Sequence, residues 1–253
     1  MDFESLSSEA SPAHYIDTGR WARRHAFELF RGFEQPFFSL CVRVDVAPLK
    51  TWLAAQPRPG GFSLACHYLA LRLANEQQAF RLRLNPGPLG PGTRVREHAR
   101  VDGSTTVLRP DDSFGFAQLW WRPRFADFRA DGEAAFHSAR QVPPADVPPG
   151  FATPQPEPGD TLAASGEATT MYFTTLPWVH FTAFTHARPG HAQEEGTPRV
   201  VFGGVRADSP QPGAAQWMPL QLDVHHALMD GLQAGRWLQS LQAALAAPQD
   251  WLD

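Results

Sequence analysis

MPLQLDVHHALMDG, residues 218–231, joins a strand pattern to a turn. Apolar residues alternate from Met218 to Val224, which predicts a strand with one buried face. Two histidines, His225 and His226, end it. Neighbouring side chains on a strand point to opposite faces, so one histidine is expected to be buried and the other available for chemistry. Asp230 lies four residues after His226 on the turn into a final helix. It either orients an imidazole ring or pairs with an arginine and braces the loop. Gly231 is expected to supply a backbone conformation that other residues resist. A neutral imidazole suits general-base work because its ordinary pKa lies close to neutrality.

Outward from this stretch, strands and helices alternate irregularly. Residues 1–15 read as a loose arm. WARRHAFELF, 21–30, has helical spacing and presents Arg23 and Arg24 beside Phe27 and Phe30. FFSLCVRVDV, 37–46, alternates as a strand, and Pro48 opens a short helix. Ser63 is placed to cap a long helix through LACHYLALRLANEQQAF, followed by a Pro/Gly turn cluster at 85–92. Strands are expected near 94–98, 104–108 and 115–121, then a helix over 123–141 broken at Gly132. The proline-dense stretch 142–159 reads as a surface excursion within one domain. ATTMYFTTL, WVHFTAF and RVVFGGV read as further strands before the closing helix 232–246. The pattern predicts one α/β domain of the α+β two-layer kind, a large mixed sheet with helices packed on it.

The chain has 253 residues, 43 % of them hydrophobic, and a net charge of -4 with no basic run. A nucleic-acid partner is therefore not expected. Charged residues make up only 19 %, which suits a surface partly covered by other subunits. Lys50 is the only lysine. Cys41 and Cys66 read as two buried thiols, and no cysteine–histidine metal cluster is present. No long apolar run or signal pattern occurs, so the expected location is the cytoplasm, without membrane contact.

The motif H-H-x-x-x-D-G at 225–231 resembles the active-site segment of chloramphenicol acetyltransferases. That segment is shared with acyltransferase cores of 2-oxo acid dehydrogenase complexes and with peptide-synthetase condensation domains. W-x-R-R-x-x-F-E at 21–28, FSL and V-D-V at 38–46, and TTLPWVHFTAF at 174–184 are similar to the chloramphenicol acetyltransferase branch. The resemblance runs from Trp21 to Gln242. It implies acetyl-CoA as co-substrate, no metal, and a homotrimer with sites between subunits. His226 becomes the general base, Arg23 the partner of Asp230, and Thr174 the hydroxyl that stabilises the oxyanion. Trp178, Thr105 and Phe62 fall on the CoA side. Phe30, Glu34, Phe38, Phe114 and Val201 fall around the acceptor.

Departures sit on the acceptor side. Phe30 stands where the family has a tyrosine, Glu34 where it has a leucine, and Val201 where a threonine fixes a water. Asp223 replaces a glutamine, and Leu232–Gln233 an aromatic–histidine pair. A Glu34 carboxylate buried against an apolar drug is costly, so chloramphenicol is expected to be a poor acceptor. The chain is short for a condensation domain and has no lipoyl segment of a dehydrogenase core. A small-molecule binding protein that kept the fold is the alternative from another class.

Overall fold

The computed structural model describes residues 13–87, 90–141, 170–188, 196–211 and 213–252. In chain order the strands are β1 (Ala13–Tyr15), β2 (Phe37–Asp45), β3 (Leu82–Gly87), β4 (Gly90–His98), β5 (Asp102–Leu108), β6 (Phe114–Leu119), β7 (Thr170–Leu176), β8 (Arg199–Gly203), β9 (Arg206–Ala207) and β10 (Gln216–His225). The helices are α1 (Arg24–Phe30), α2 (Ala47–Ala54), α3 (Phe62–Glu76), α4 (Phe125–Gln141) and α5 (Gly231–Ala246).

The main sheet is mixed, in the order β2-β10-β8-β7-β5-β6, with β9 beside β10. Strands β8, β7 and β5 run parallel, and the outer pairings are antiparallel. A separate antiparallel sheet, β1-β4-β3, carries the N-terminal strand. Alternation on β10 sends Met218, Leu220, Leu222 and Val224 into the core shared with the helices. Gln221, Asp223 and His225 go to the other face and are also buried. Helix α3 is apolar nearly all round and lies inside. Each of its fully buried leucines contributes about 1.5–3 kcal/mol through removal from water. Trp237 of α5 stacks on Phe80 at 5.2 Å, and the Tyr68 hydroxyl donates to the Pro123 carbonyl at 2.7 Å.

Several expectations are corrected. The arm ends earlier than residue 15, because Ala13–Tyr15 pairs with β4. Arg23 precedes α1 instead of lying in it, and Arg24 points into solvent. Gly61, with φ of 77°, precedes α3 as its cap, while the Ser63 carbonyl contacts His67 Nδ1 at 2.7 Å. Strands β3 and β4 extend into the 85–92 turn cluster. Helix α4 is unbroken: a side chain at Gly132 would come 2.5 Å from Leu64 Cδ2, so this glycine serves close packing on α3. Cys66 is buried, with its thiol pushed up to about 12 by burial, whereas Cys41 is exposed. WVHFTAF is not a strand. Its polar groups bond to a glycine loop and a side chain, with Gly204 N–H donating to the Val179 carbonyl at 2.7 Å and Phe184 N–H to Gln221 Oε1 at 2.7 Å. The stretch 142–159 lies outside the described residues. Among the described residues no helix is long and apolar enough to cross a membrane.

Candidate active site

Strand β10 pairs with β2 from Trp217↔Asp45 to His225↔Phe37, and this register delivers the histidines to the sheet end. His225 is 2 % exposed. Its ring meets the edge of Phe37, and its Nδ1 accepts the Ala227 N–H at 3.2 Å, which places the neutral ring's proton on Nε2. His226 leaves the ladder with its side chain one-third exposed. Its backbone N–H donates to the Pro36 carbonyl at 2.8 Å, and its carbonyl accepts from Arg23 Nη2 at 3.0 Å.

Asp230 stands at the N-cap of α5, and its backbone N–H donates to Gln233 Oε1 at 3.1 Å. Arg23 grips its carboxylate with both terminal nitrogens, Nη2 donating to Oδ1 at 3.0 Å and Nη1 to Oδ2. The Arg23 guanidinium holds this carboxyl below the usual carboxylate range, against partial burial. Asp230 Oδ1 also lies 3.1 Å from His226 Nδ1, close enough for electrostatic contact but off the angles of a formed hydrogen bond. Of the two roles open to Asp230, bracing is therefore the stronger contact and ring orientation the weaker. Gly231 has no left-handed backbone, and a side chain there would meet nothing within 4 Å, so the expected conformational role is absent.

The imidazole sits among aromatic rings. Phe30 stacks on it at 3.7 Å and 6° between planes, and Phe38 lies 4.9 Å away at a tilt. Phe33 packs edge-on against Phe30 at 5.1 Å. Glu34, in the same loop, is exposed. The expectation of a buried carboxylate there is not met in this chain, because the loop projects its side chain into solvent.

The remaining site residues lie elsewhere. Phe62, Thr105, Phe114 and Trp178 line one cleft of about 780 Å³ between the sheet and helices α3 and α4. Trp178 is 63 % exposed at its mouth. A side chain at Gly204 would come 2.6 Å from the Pro177 carbonyl, so the Gly203–Gly204 pair lets this turn seat on the sheet. Phe114 thus joins the residues assigned to CoA, apart from Phe30 and Phe38. Thr174 and Val201 face each other across β7 and β8, and Val201 is fully buried. Thr174 is opposite Val201, Val201 is opposite Gln221, and His226 follows five residues on. With ~4.8 Å between strands and ~3.3 Å per residue, Thr174 and His226 lie roughly 19 Å apart in one chain. Thr175, Cys66, Lys50 and Arg140 also line the cleft. Thr175 Oγ1 is buried without a hydrogen-bond partner among the described residues, a feature that a Thr-Thr dipeptide gives no means of foreseeing.

No family model matches the chain. Its sequence is 26 % identical over 231 residues to chloramphenicol acetyltransferase 2 of Escherichia coli, covering 90 % of this chain and 94 % of the relative. It is 28 % identical over 240 residues to the chloramphenicol acetyltransferase of Streptomyces acrimycini, covering 94 % and 96 %. A solved chloramphenicol acetyltransferase superposes with a TM-score of 0.71 at 21 % identity, over 92 % of this chain and all of the other. The mixed sheet backed by helices, with H-H-x-x-x-D-G at the end of an inner strand, is thus a fold that the chain shares with that structure. Along nearly its whole length the chain is similar to chloramphenicol acetyltransferases in sequence, and it shares their fold.

Proposed function

We propose that the protein transfers an acetyl group from acetyl-CoA to a hydroxyl of a small acceptor, as a homotrimer with sites between neighbouring copies. The observation that carries this reading is the clamped His226 loop, whose ring is partly open while its peptide is fixed by Pro36 and Arg23. Asp230 beside Nδ1 favours the tautomer with its proton there, which frees the Nε2 lone pair. His226 Nε2 takes the proton of the acceptor hydroxyl, and the oxygen attacks the thioester carbonyl. The Thr174 hydroxyl donates to the resulting oxyanion, worth about 2–4 kcal/mol by analogy with other single donors. The intermediate collapses, the carbon–sulfur bond breaks, and the imidazolium returns its proton to the leaving thiolate.

Within one chain the base and the hydroxyl are too far apart to serve one carbonyl. A neighbouring copy that brings the Thr174 face of its sheet to this loop solves the problem. Exposed apolar residues lie in two groups that suit such a joint, Leu29, Phe33 and Leu232 near the base, and Leu108, Phe114 and Trp178 at the cleft with Val179 next in sequence. An apolar cleft of this size suits the pantetheine arm of acetyl-CoA. The test is free-thiol release from acetyl-CoA across a panel of alcohols, with His226→Ala as comparison. The variant should lose about 10²–10⁴-fold in turnover. Activity within a few-fold of the parent removes His226 from the mechanism, and no thiol release with any alcohol favours a binding protein.

A further inference from the structure

The loop between α1 and β2 sets an exposed carboxylate among the rings that surround the base. Glu34 lies one residue after Phe33, which packs on Phe30, and two before Pro36, which holds the His226 N–H. Among the described residues Glu34 has no ion-pair partner. The nearby cations are committed: Arg31 pairs with Glu28 at 2.8 Å, and Arg23 with Asp230. Phe30, Phe33 and Phe38 form a continuous aromatic wall around the imidazole.

Aromatic faces attract organic cations through the ring quadrupole, and a carboxylate beside them adds an opposite charge. A neutral acceptor gains nothing from that carboxylate and strips part of its hydration. The geometry points to an acceptor alcohol that carries an ammonium group, with Glu34 as the residue that selects it. This assignment rests on the acyl-transfer reading above. The hydroxyl of such an acceptor reaches His226 while its cation sits against Phe33 and Glu34. The charge takes no part in bond making, so the reaction is unchanged.

The test uses a matched pair, benzyl-dimethyl-(2-hydroxyethyl)ammonium and its carbon isostere 3,3-dimethyl-4-phenylbutan-1-ol. They have nearly the same shape and differ in charge, and neither has a nitrogen that can be acetylated. In steady-state thiol release, kcat/KM for the cation should exceed that for the isostere by about tenfold, the combined order of a cation–aromatic contact and an exposed ion pair. Glu34→Gln should bring the ratio to within about threefold of unity, since the rings remain. A ratio near one in the parent, or a preference for the isostere, overturns the proposal and leaves acyl transfer standing. If neither alcohol releases thiol, the alcohol panel above decides the acyl-transfer reading separately. Calorimetric titration with benzyltrimethylammonium then decides: weaker binding to Glu34→Gln than to the parent supports recognition by Glu34, and equal or absent binding overturns it.

Discussion

The His226 peptide is held at both polar ends, by Pro36 and by Arg23, whereas the cleft is walled by Phe62, Phe114, Phe136 and Trp178 and leaves the Thr175 hydroxyl unpartnered. The first region fixes one ring among committed charges. The second offers volume and apolar surface with few directional contacts. On the proposed function, a base must be positioned to a fraction of an ångström, while an extended thioester arm needs mainly a dry channel. The two regions therefore tolerate change differently, and they fail differently when perturbed.

The strongest way to break the comparison is to disable each region in a different copy. His226→Ala and Thr174→Ala chains should each be nearly silent alone. Refolded together at equal amounts, random trimers restore about a quarter of the parent activity, because one joint in four pairs an intact His226 with an intact Thr174. No recovery in a mixed sample of trimeric mass, read by light scattering, would place both groups in one chain and defeat the shared site.

A smaller effect is expected from the brace. Its side chains are partly exposed, so the pair is worth less than a fully buried one. Arg23→Ala should lower the melting temperature by about 2–6 °C and reduce kcat more than it raises KM for acetyl-CoA. A loss confined to KM would show that the brace serves the cleft.

Acid should separate the regions most gently. His67, whose Nε2 lies 3.3 Å from Thr105 of the cleft wall, is held neutral by burial, its pKa lowered to about 4. Burial also lowers His186 to about 4 and, with help from Arg83, Arg96 and Arg81, His98 to about 3. The unfolded chain takes up these protons near the ordinary value of about 6.5, so stability falls as pH drops from there towards the folded values. Asp230 has the same sign but acts in a lower window. Its carboxyl is lowered by Arg23, so the brace is fully present above the ordinary carboxylate value of about 3.9 and weakens only below it. The melting temperature should decline between pH 6.5 and 5, and less steeply in His98→Leu. A flat profile across that interval would contradict the neutral assignments.

Patterns that repeat were legible in sequence. The alternation of 218–224 located β10 and its buried face, and the offset of the two histidines followed from strand geometry. The link between Arg23 and Asp230 was expected from the family resemblance, since two residues so far apart in sequence leave no periodic signal. What escaped was set by close approach in three dimensions. Gly132 reads as a helix breaker until Leu64 is seen against it, and WVHFTAF reads as a strand until the Gly204 N–H is seen to donate to its backbone. The apolar neighbours of Cys41 did not reveal that its own side chain points outward. Glu34 could be aligned by sequence, but the direction of its side chain could not.

The two hydrogen bonds on the His226 peptide come from the Pro36 main chain and from Arg23, neither of which lies on the aromatic wall. Exposed wall positions such as Phe33 and Glu34 can therefore be exchanged by drift or selection without loosening the His226 peptide. On the proposed function, heritable novelty in what is modified is thereby uncoupled from the capacity to modify at all, and descendants of one ancestor can diverge in diet while inheriting the same tool.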